Sequence, residues 1–136
     1  MTTPACILLA EDDRILRRAG EVTLTKRGYA VVVAVDGEDA LAKALAHKPD
    51  LILLDVMMPK LDGFEVLSRL KDNPDTRLIP VIMLTNLGQE SDVNKAVERG
   101  ACAYLVKSSL RPEQLAERVA ETLAARLEQD DKGARS

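Results

Sequence analysis

Five short apolar runs limit the folds that this sequence can adopt. Each run is hydrophobic at nearly every position rather than at every second one. Continuous hydrophobicity is typical of strands covered on both faces of a parallel sheet, whereas strands with one solvent face alternate. The runs comprise residues 5–10, 29–35, 51–54, 79–84 and 102–106. We therefore expect five parallel strands in the interior.

The segments between and after these runs have the spacing of amphipathic helices. Their apolar residues recur every three or four positions, which places them on one helix face. The positions are Ile15, Leu16, Ala19, Val22 and Leu24; Ala40, Leu41, Ala44 and Leu45; Phe64, Val66, Leu67 and Leu70; Val93, Ala96 and Val97; Leu115, Val119, Leu123 and Leu127. Alternating strands and helices predict an α/β fold, a three-layer sandwich with the sheet in the middle.

Composition narrows the class of function. The net charge is −3 with both signs mixed along the chain, so direct nucleic-acid binding is disfavoured. Three aromatic residues are too few for a base-stacking platform. No signal-type segment and no run of roughly 20 apolar residues occurs, which predicts a cytoplasmic protein without a membrane contact. The length of 136 residues fits one domain, which we expect at 1–127, followed by a polar C-terminal tail at 128–136.

The two cysteines and the single histidine form no metal or redox motif. Cys6 and Cys102 lie far apart in apolar surroundings, and we expect buried, reduced thiols. His47 falls late in the second helical segment, where we expect a residue at a helix end rather than a catalytic base.

Polar residues follow the ends of four apolar runs. In a parallel α/β sheet, ligands bind outside the carboxyl ends of the strands, so these positions are where chemistry is expected. Three carboxyl residues follow the first run, one follows the third, a hydroxyl follows the fourth and an amine the fifth: Glu11, Asp12, Asp13, Asp55, Thr85 and Lys107. Carboxylates brought together raise one another's pKa, a cost that a bound cation or an ammonium removes. An all-oxygen cluster suits Mg²⁺.

Single members of this set have simpler explanations. Asp12 or Asp13 can cap the first helix, because Asp is a favoured N-cap residue. Thr85 alone says little, and a lone lysine such as Lys107 is usually solvated. Asp55 directly follows four apolar residues that we expect to be buried. A carboxylate there loses hydration, so it needs a cation or a hydrogen-bond donor beside it. The combination carries the hypothesis.

The sequence resembles the bacterial response-regulator receiver family over about residues 5–127. The hallmark of that family is an acidic pair after the first strand, an aspartate ending the third, Ser or Thr after the fourth and Lys after the fifth. Here these roles fall on Asp12 and Asp13, Asp55, Thr85 and Lys107. The segments at 55–63 and 80–85 match as well. The resemblance implies a flavodoxin-like sandwich with strand order 2-1-3-4-5.

The resemblance also implies a mechanism. Asp55 would accept a phosphoryl group from a phosphohistidine on a sensor histidine kinase or a histidine phosphotransfer protein. Asp12, Asp13, Asp55 and the backbone carbonyl of Met57 would bind Mg²⁺ or Mn²⁺, and Lys107 would pair with a phosphoryl oxygen. The protein would then be a phosphoacceptor that assists its own phosphotransfer and dephosphorylation, not an enzyme.

In the family, phosphorylation of the aspartate is followed by a conformational change, and the resemblance implies the same here. Thr85 would move toward the phosphoryl group, and Tyr104, three residues before the lysine, would turn inward. The face of the fourth helix, fifth strand and fifth helix would then change shape for a downstream protein target, in a monomer or a weak phosphorylation-dependent dimer. The alternative is that Tyr104 is a half-buried strand residue without a switching role.

Two residues depart from the family pattern. Ser108 stands where a proline with a cis bond usually follows the lysine, and a cis bond before another residue type costs about 3 to 4 kcal/mol. The chain there is either strained or trans. Asn86 stands where a small residue is common after the hydroxyl, and we expect it to restrict access to the site or to alter the lifetime of the phosphate.

Several functions remain open at this point. The chain is either a receiver that signals alone or a receiver module from a larger transcription factor or hybrid kinase. A phosphohydrolase with Asp55 as nucleophile is a further alternative, although such enzymes carry a second aspartate two positions later, where this chain has Met57. A degenerate receiver that is never phosphorylated is the last.

Overall fold

Five β-strands and five α-helices alternate along the described part of the chain, as the apolar runs and helical segments predict. The computed structural model describes residues 3–85 and 90–135, with side chains described for 3–85 and 92–126. The elements are β1 (Cys6–Ala10), α1 (Arg14–Lys26), β2 (Ala30–Ala34), α2 (Gly37–His47), β3 (Leu51–Asp55), α3 (Gly63–Asp72), β4 (Val81–Thr85), α4 (Glu90–Glu98), β5 (Ala103–Val106), a 3₁₀ turn (Lys107–Ser109) and α5 (Pro112–Arg135).

All strand pairs are parallel, and the sheet order is β2-β1-β3-β4-β5, as the resemblance implies. Buried residues form two clusters, one on each face of the sheet. The first cluster takes residues from α2, α3 and α4, and the second takes residues from α1 and α5. The molecule is therefore the predicted three-layer sandwich with flavodoxin-like topology.

The central strand β3 explains why its run is continuously apolar. Leu51 and Leu53 belong to the cluster under α1 and α5, whereas Ile52 and Leu54 belong to the opposite cluster. All four are fully buried. Successive side chains of a strand point to opposite faces, so a strand covered on both sides has no position for a polar residue until it reaches the edge.

The loop after β3 is held close to the strand end by a glycine. A Cβ atom on Gly63 would lie 2.2 Å from the carbonyl oxygen of Asp55, so only glycine permits this approach. The Gly63 N–H also donates to the Val56 carbonyl at 2.8 Å. The start of α3 thus fixes the backbone on which the Asp55 side chain is mounted.

Two expectations at the ends of the fold need correction. The stretch at 128–136 was expected to be a polar tail after the last apolar helix position, Leu127, but α5 continues to Arg135; the stretch contains no proline to end the helix. The cysteines were expected to be buried, but Cys6 is only half-buried and Cys102 is exposed. Cys6 opens β1 and Cys102 precedes β5, so both lie outside the fully covered middle of the sheet.

Two further observations concern His47 and the character of the helices. His47 is the last residue of α2 and is exposed there, as predicted. Among the described residues, no helix combines the length and the apolar character needed to cross a membrane.

The Gly63 contact predicts a specific loss of stability. Gly63→Ala should lower the free energy of unfolding by about 2 kcal/mol or more, because backbone must move to admit the methyl group. Gly28→Ala is the control, since Gly28 has a φ of 94° but no atom within 4 Å of its Cβ position; strain alone should cost about 1 kcal/mol. Urea denaturation measures both. A Gly63→Ala protein as stable as wild type would contradict the assigned contact.

Candidate functional site

The carboxyl edge of the sheet brings together the polar residues that the sequence singles out. Asp55 ends β3, Thr85 ends β4, and Lys107 follows β5 directly. The strand register places Asp55 beside Leu84 and Thr85 beside Val106. Glu11 continues β1, because its N–H donates to the carbonyl of Ala34 on β2 at 3.1 Å.

An ion triad occupies the centre of this edge. The Lys107 ammonium donates to Asp55 Oδ2 at 2.8 Å and also to Glu11 Oε1. The exposed fraction of the side chain is 13% for Lys107, 5% for Asp55 and 4% for Glu11. One largely buried ammonium therefore bridges two buried carboxylates, one directly after β1 and one at the end of β3.

The electrostatics of the triad are unbalanced toward negative charge. Burial raises the pKa of Glu11, and the neighbouring Asp55 carboxylate raises it further, while Lys107 opposes both effects. Burial by itself would lower the pKa of Lys107, but hydrogen bonds and attraction from Asp55 and Glu11 raise it above its ordinary value. Lys107 thus stays charged, and one ammonium does not neutralise the carboxylates around it.

Asp12 completes a three-carboxylate cluster. Oxygen atoms of Glu11, Asp12 and Asp55 all lie within 4.8 Å of one another, and Asp12 is exposed whereas the other two are buried. The cluster therefore opens to solvent on the Asp12 side. Hard oxygen donors with an open side are the donor set that Mg²⁺ and Mn²⁺ favour, because these ions retain several waters.

The structure places Asp13 outside this cluster, which differs from the expected metal pair. Asp13 is the N-cap of α1, and its Oδ1 accepts from the N–H groups of Ile15 at 2.9 Å and Leu16 at 3.0 Å. The capping role that the sequence left open thus falls on Asp13, and the acidic pair beside Asp55 is Glu11 and Asp12. Glu11 was one of the strand-end residues that the sequence singled out, but it was not in the expected metal set; its place directly after β1 is the signal for its position beside Asp55.

Lys107 reaches the site without a cis bond. The described residues contain no cis peptide bond, so the bond from Lys107 to Ser108 is trans. Lys107 begins the short 3₁₀ turn, and its side chain still contacts Asp55. Of the two paths that the sequence left open, the chain takes the trans path.

The expected switch residues lie on neighbouring strands. Thr85 is buried, with 2% of its surface exposed, at the end of β4. Tyr104 is half-buried, lies beside Met83 in the sheet and packs against the cluster under α2, α3 and α4.

Asn86, the second departure from the family pattern, lies outside the described residues. Met57 lies two residues after Asp55, and its N–H donates to Asp55 Oδ1 at 3.3 Å.

Known proteins are similar to this chain in sequence and in fold. Response regulator PleD from Caulobacter vibrioides is 47% identical over 103 residues, which cover 76% of this chain and 23% of PleD. The chemotaxis protein CheY4 of Vibrio cholerae has a TM-score of 0.82 at 32% identity, with 88% of this chain and 98% of that chain covered. A CheX–CheY–BeF₃–Mg²⁺ complex from Borrelia burgdorferi has a TM-score of 0.81 at 30% identity, covering 88% and 89%.

The matches to curated relatives concern part of those proteins. The chain spans between 14% and 46% of the length of the first relatives that it matches. The family model for the response regulator receiver domain matches residues 7–120, which include every residue of the site. Together with the sheet order and the acidic edge, this match shows that the chain belongs to the response regulator receiver domain family.

Proposed function

We propose that this receiver domain accepts a phosphoryl group on Asp55 from the phosphohistidine of a sensor histidine kinase or a histidine phosphotransfer protein. The observation that carries the proposal is the position of Asp55. Its carboxylate lies at the strand end, accepts from the Lys107 ammonium and belongs to a three-carboxylate cluster that opens to solvent through Asp12. Membership of the family supports the same assignment.

The chemistry requires little beyond placement and charge. A carboxylate oxygen of Asp55 attacks phosphorus, and the bond from phosphorus to the imidazole nitrogen breaks with its electron pair left on nitrogen. Lys107 remains protonated and pairs with a phosphoryl oxygen. Glu11, Asp12, Asp55 and the Met57 carbonyl are the residues that would hold Mg²⁺ or Mn²⁺. The bound ion supplies neutralisation of the charge that gathers on the phosphoryl oxygens.

Phosphorylation would change the charge at the buried strand end. The phosphoryl group brings about 1.5 to 2 negative charges and three acceptor oxygens to Asp55. Thr85, buried at the end of the adjacent strand, supplies a hydroxyl donor, and Tyr104 on β5 would follow it. The α4-β5-α5 face would then present a new shape to a downstream protein target. The solved complex of CheX with CheY supports the use of protein partners by the family.

A phosphohydrolase is the weaker candidate. The position two residues after the nucleophile, where an acid–base aspartate is needed, holds Met57, and 69% of that residue is exposed. Without a carboxyl group there, the protein lacks the group that would activate water against the aspartyl phosphate.

Acetyl phosphate tests the phosphoacceptor directly. With Mg²⁺ present, intact-mass measurement should show one added phosphoryl group on wild type, none on Asp55→Asn and none when a chelator removes the metal. An unlabelled wild type, under conditions in which another receiver is labelled, would favour the degenerate receiver instead. Label that persists on Asp55→Asn would place the phosphoacceptor elsewhere.

The two neighbouring aspartates should separate in the same assay. Asp12→Asn should slow labelling by about tenfold at limiting Mg²⁺, because a ligand charge is lost. Asp13→Asn should remain within about twofold of wild type, because asparagine caps a helix as well as aspartate does. The reverse order would assign Asp13 to the metal pair and Asp12 to a lesser role.

Removing the ammonium should unbalance the triad. In metal-free protein, Lys107→Met should lower the free energy of unfolding by about 3 kcal/mol, because two buried carboxylates lose their shared partner. Millimolar Mg²⁺ should recover part of this loss. Arg69→Met is the control, because Arg69 pairs with Glu65 on the surface of α3, where both side chains are exposed, and we expect a cost below about 1 kcal/mol. Equal losses for both variants, by urea denaturation, would contradict the central place of Lys107.

A further inference from the structure

Arg17 on α1 turns back toward the acidic loop instead of lying along the helix surface. Its Nη1 donates to the carbonyl oxygen of Glu11 at 2.9 Å and to that of Asp12 at 3.3 Å. The residue is half-buried. These two carbonyls belong to the same two residues whose carboxylates join Asp55 in the cluster.

The next residue behaves differently. Arg18 donates to Glu21 Oε1 at 3.0 Å, one helical turn away, and 74% of its side chain is exposed. The two adjacent arginines therefore make different contacts. Arg18 forms a surface ion pair within α1, whereas Arg17 donates to main-chain oxygens of the loop before α1. Surface pairs of the Arg18 kind contribute little and are screened by salt.

The loop from Glu11 to Asp13 is fixed at both ends, and Arg17 acts between them. At one end the Glu11 N–H bonds to Ala34 on β2. At the other, Asp13 caps α1, and its own N–H donates to Glu11 Oε2 at 3.2 Å. A guanidinium suits the position between, because it presents several donors in one rigid plane and stays charged at all working pH values.

We propose that Arg17 is a positioning residue of the metal site. By holding the Glu11 and Asp12 carbonyls, it fixes the backbone from which both carboxylates extend toward Asp55. This inference rests on the proposed function, because it concerns the same Mg²⁺ site. Partners of this kind, which orient ligands without touching the ion, commonly control metal affinity.

Replacing Arg17 should change the affinity for Mg²⁺ in opposite directions, depending on whether Arg17 acts through its charge or by positioning the loop. A positive charge near the cluster repels a cation, so its loss alone should tighten Mg²⁺ binding. Loss of the loop contacts should instead weaken binding, because the carboxylates must be ordered when the ion arrives. The sign of the change therefore distinguishes a positioning residue from a nearby charge.

Titration calorimetry with Mg²⁺ alone on wild type and three variants of the 136-residue chain tests the proposal. Arg17→Gln should raise the Mg²⁺ dissociation constant by about tenfold, and Arg17→Lys should raise it as well, because lysine keeps the charge but lacks the planar fork. Arg18→Gln, the matched control, should equal wild type or bind slightly tighter. If Arg17→Gln proves poorly folded, Arg17→Lys carries the comparison.

A metal-free measurement adds a second readout. Amide hydrogen exchange at Glu11 and Asp13, whose N–H groups are hydrogen-bonded, should accelerate in Arg17→Gln and stay unchanged in Arg18→Gln. Equal Mg²⁺ affinity and equal exchange in the Arg17 and Arg18 variants would overturn the positioning role while leaving the metal site intact. Absence of Mg²⁺ binding by wild type would instead overturn the proposed site and this inference together.

Discussion

The site depends on the two ion pairs that the largely buried Lys107 ammonium forms. The ammonium contacts Asp55 and Glu11 at once, and both carboxylates are nearly inaccessible to solvent. Without it, the edge of the sheet would hold like charges in a region of low dielectric, which is costly. The ammonium offsets part of that charge and leaves a negative excess that a divalent cation would neutralise.

The sheet makes this contact possible from residues that lie far apart in the sequence. Asp55 and Lys107 are separated by 52 positions, and Glu11 and Lys107 by 96. Parallel strands bring their carboxyl ends to one edge, and the two apolar clusters that cover β3 hold that edge in register. Gly63 adds a backbone contact that keeps the following loop close to Asp55. The core thus acts on function by fixing where the charged groups meet.

Much of this arrangement was predictable from sequence. Continuous apolar runs predicted a parallel sheet covered on both faces, and the carboxyl-end rule then selected Asp55, Thr85 and Lys107 as neighbours. The choice within Glu11, Asp12 and Asp13 was not predictable in the same way. Capping a helix and binding a cation both favour Asp at a strand-to-helix junction, so composition cannot separate them. Only the geometry places Asp13 on the α1 amides.

Other features depended on tertiary contacts that leave no local signal. Arg17 and Arg18 are indistinguishable in the sequence, yet one bonds the acidic loop and the other a neighbouring turn. Cys6 and Cys102 resembled core residues because apolar residues surround them in sequence, but both lie at the ends of strands, where coverage is incomplete. The trans bond after Lys107, by contrast, agrees with a local signal, because Ser108 follows the lysine and a cis bond before a residue other than proline is costly.

The most direct test of the central claim is a crystal structure of the protein grown with Mn²⁺ and beryllium fluoride, with anomalous scattering recorded from manganese. We expect one anomalous peak beside the Asp12 and Asp55 carboxylates, with the beryllium group on Asp55 and the Lys107 ammonium against its fluorine atoms. A peak bound by Asp13 away from Asp55, or no metal and no beryllium group at Asp55, would contradict it.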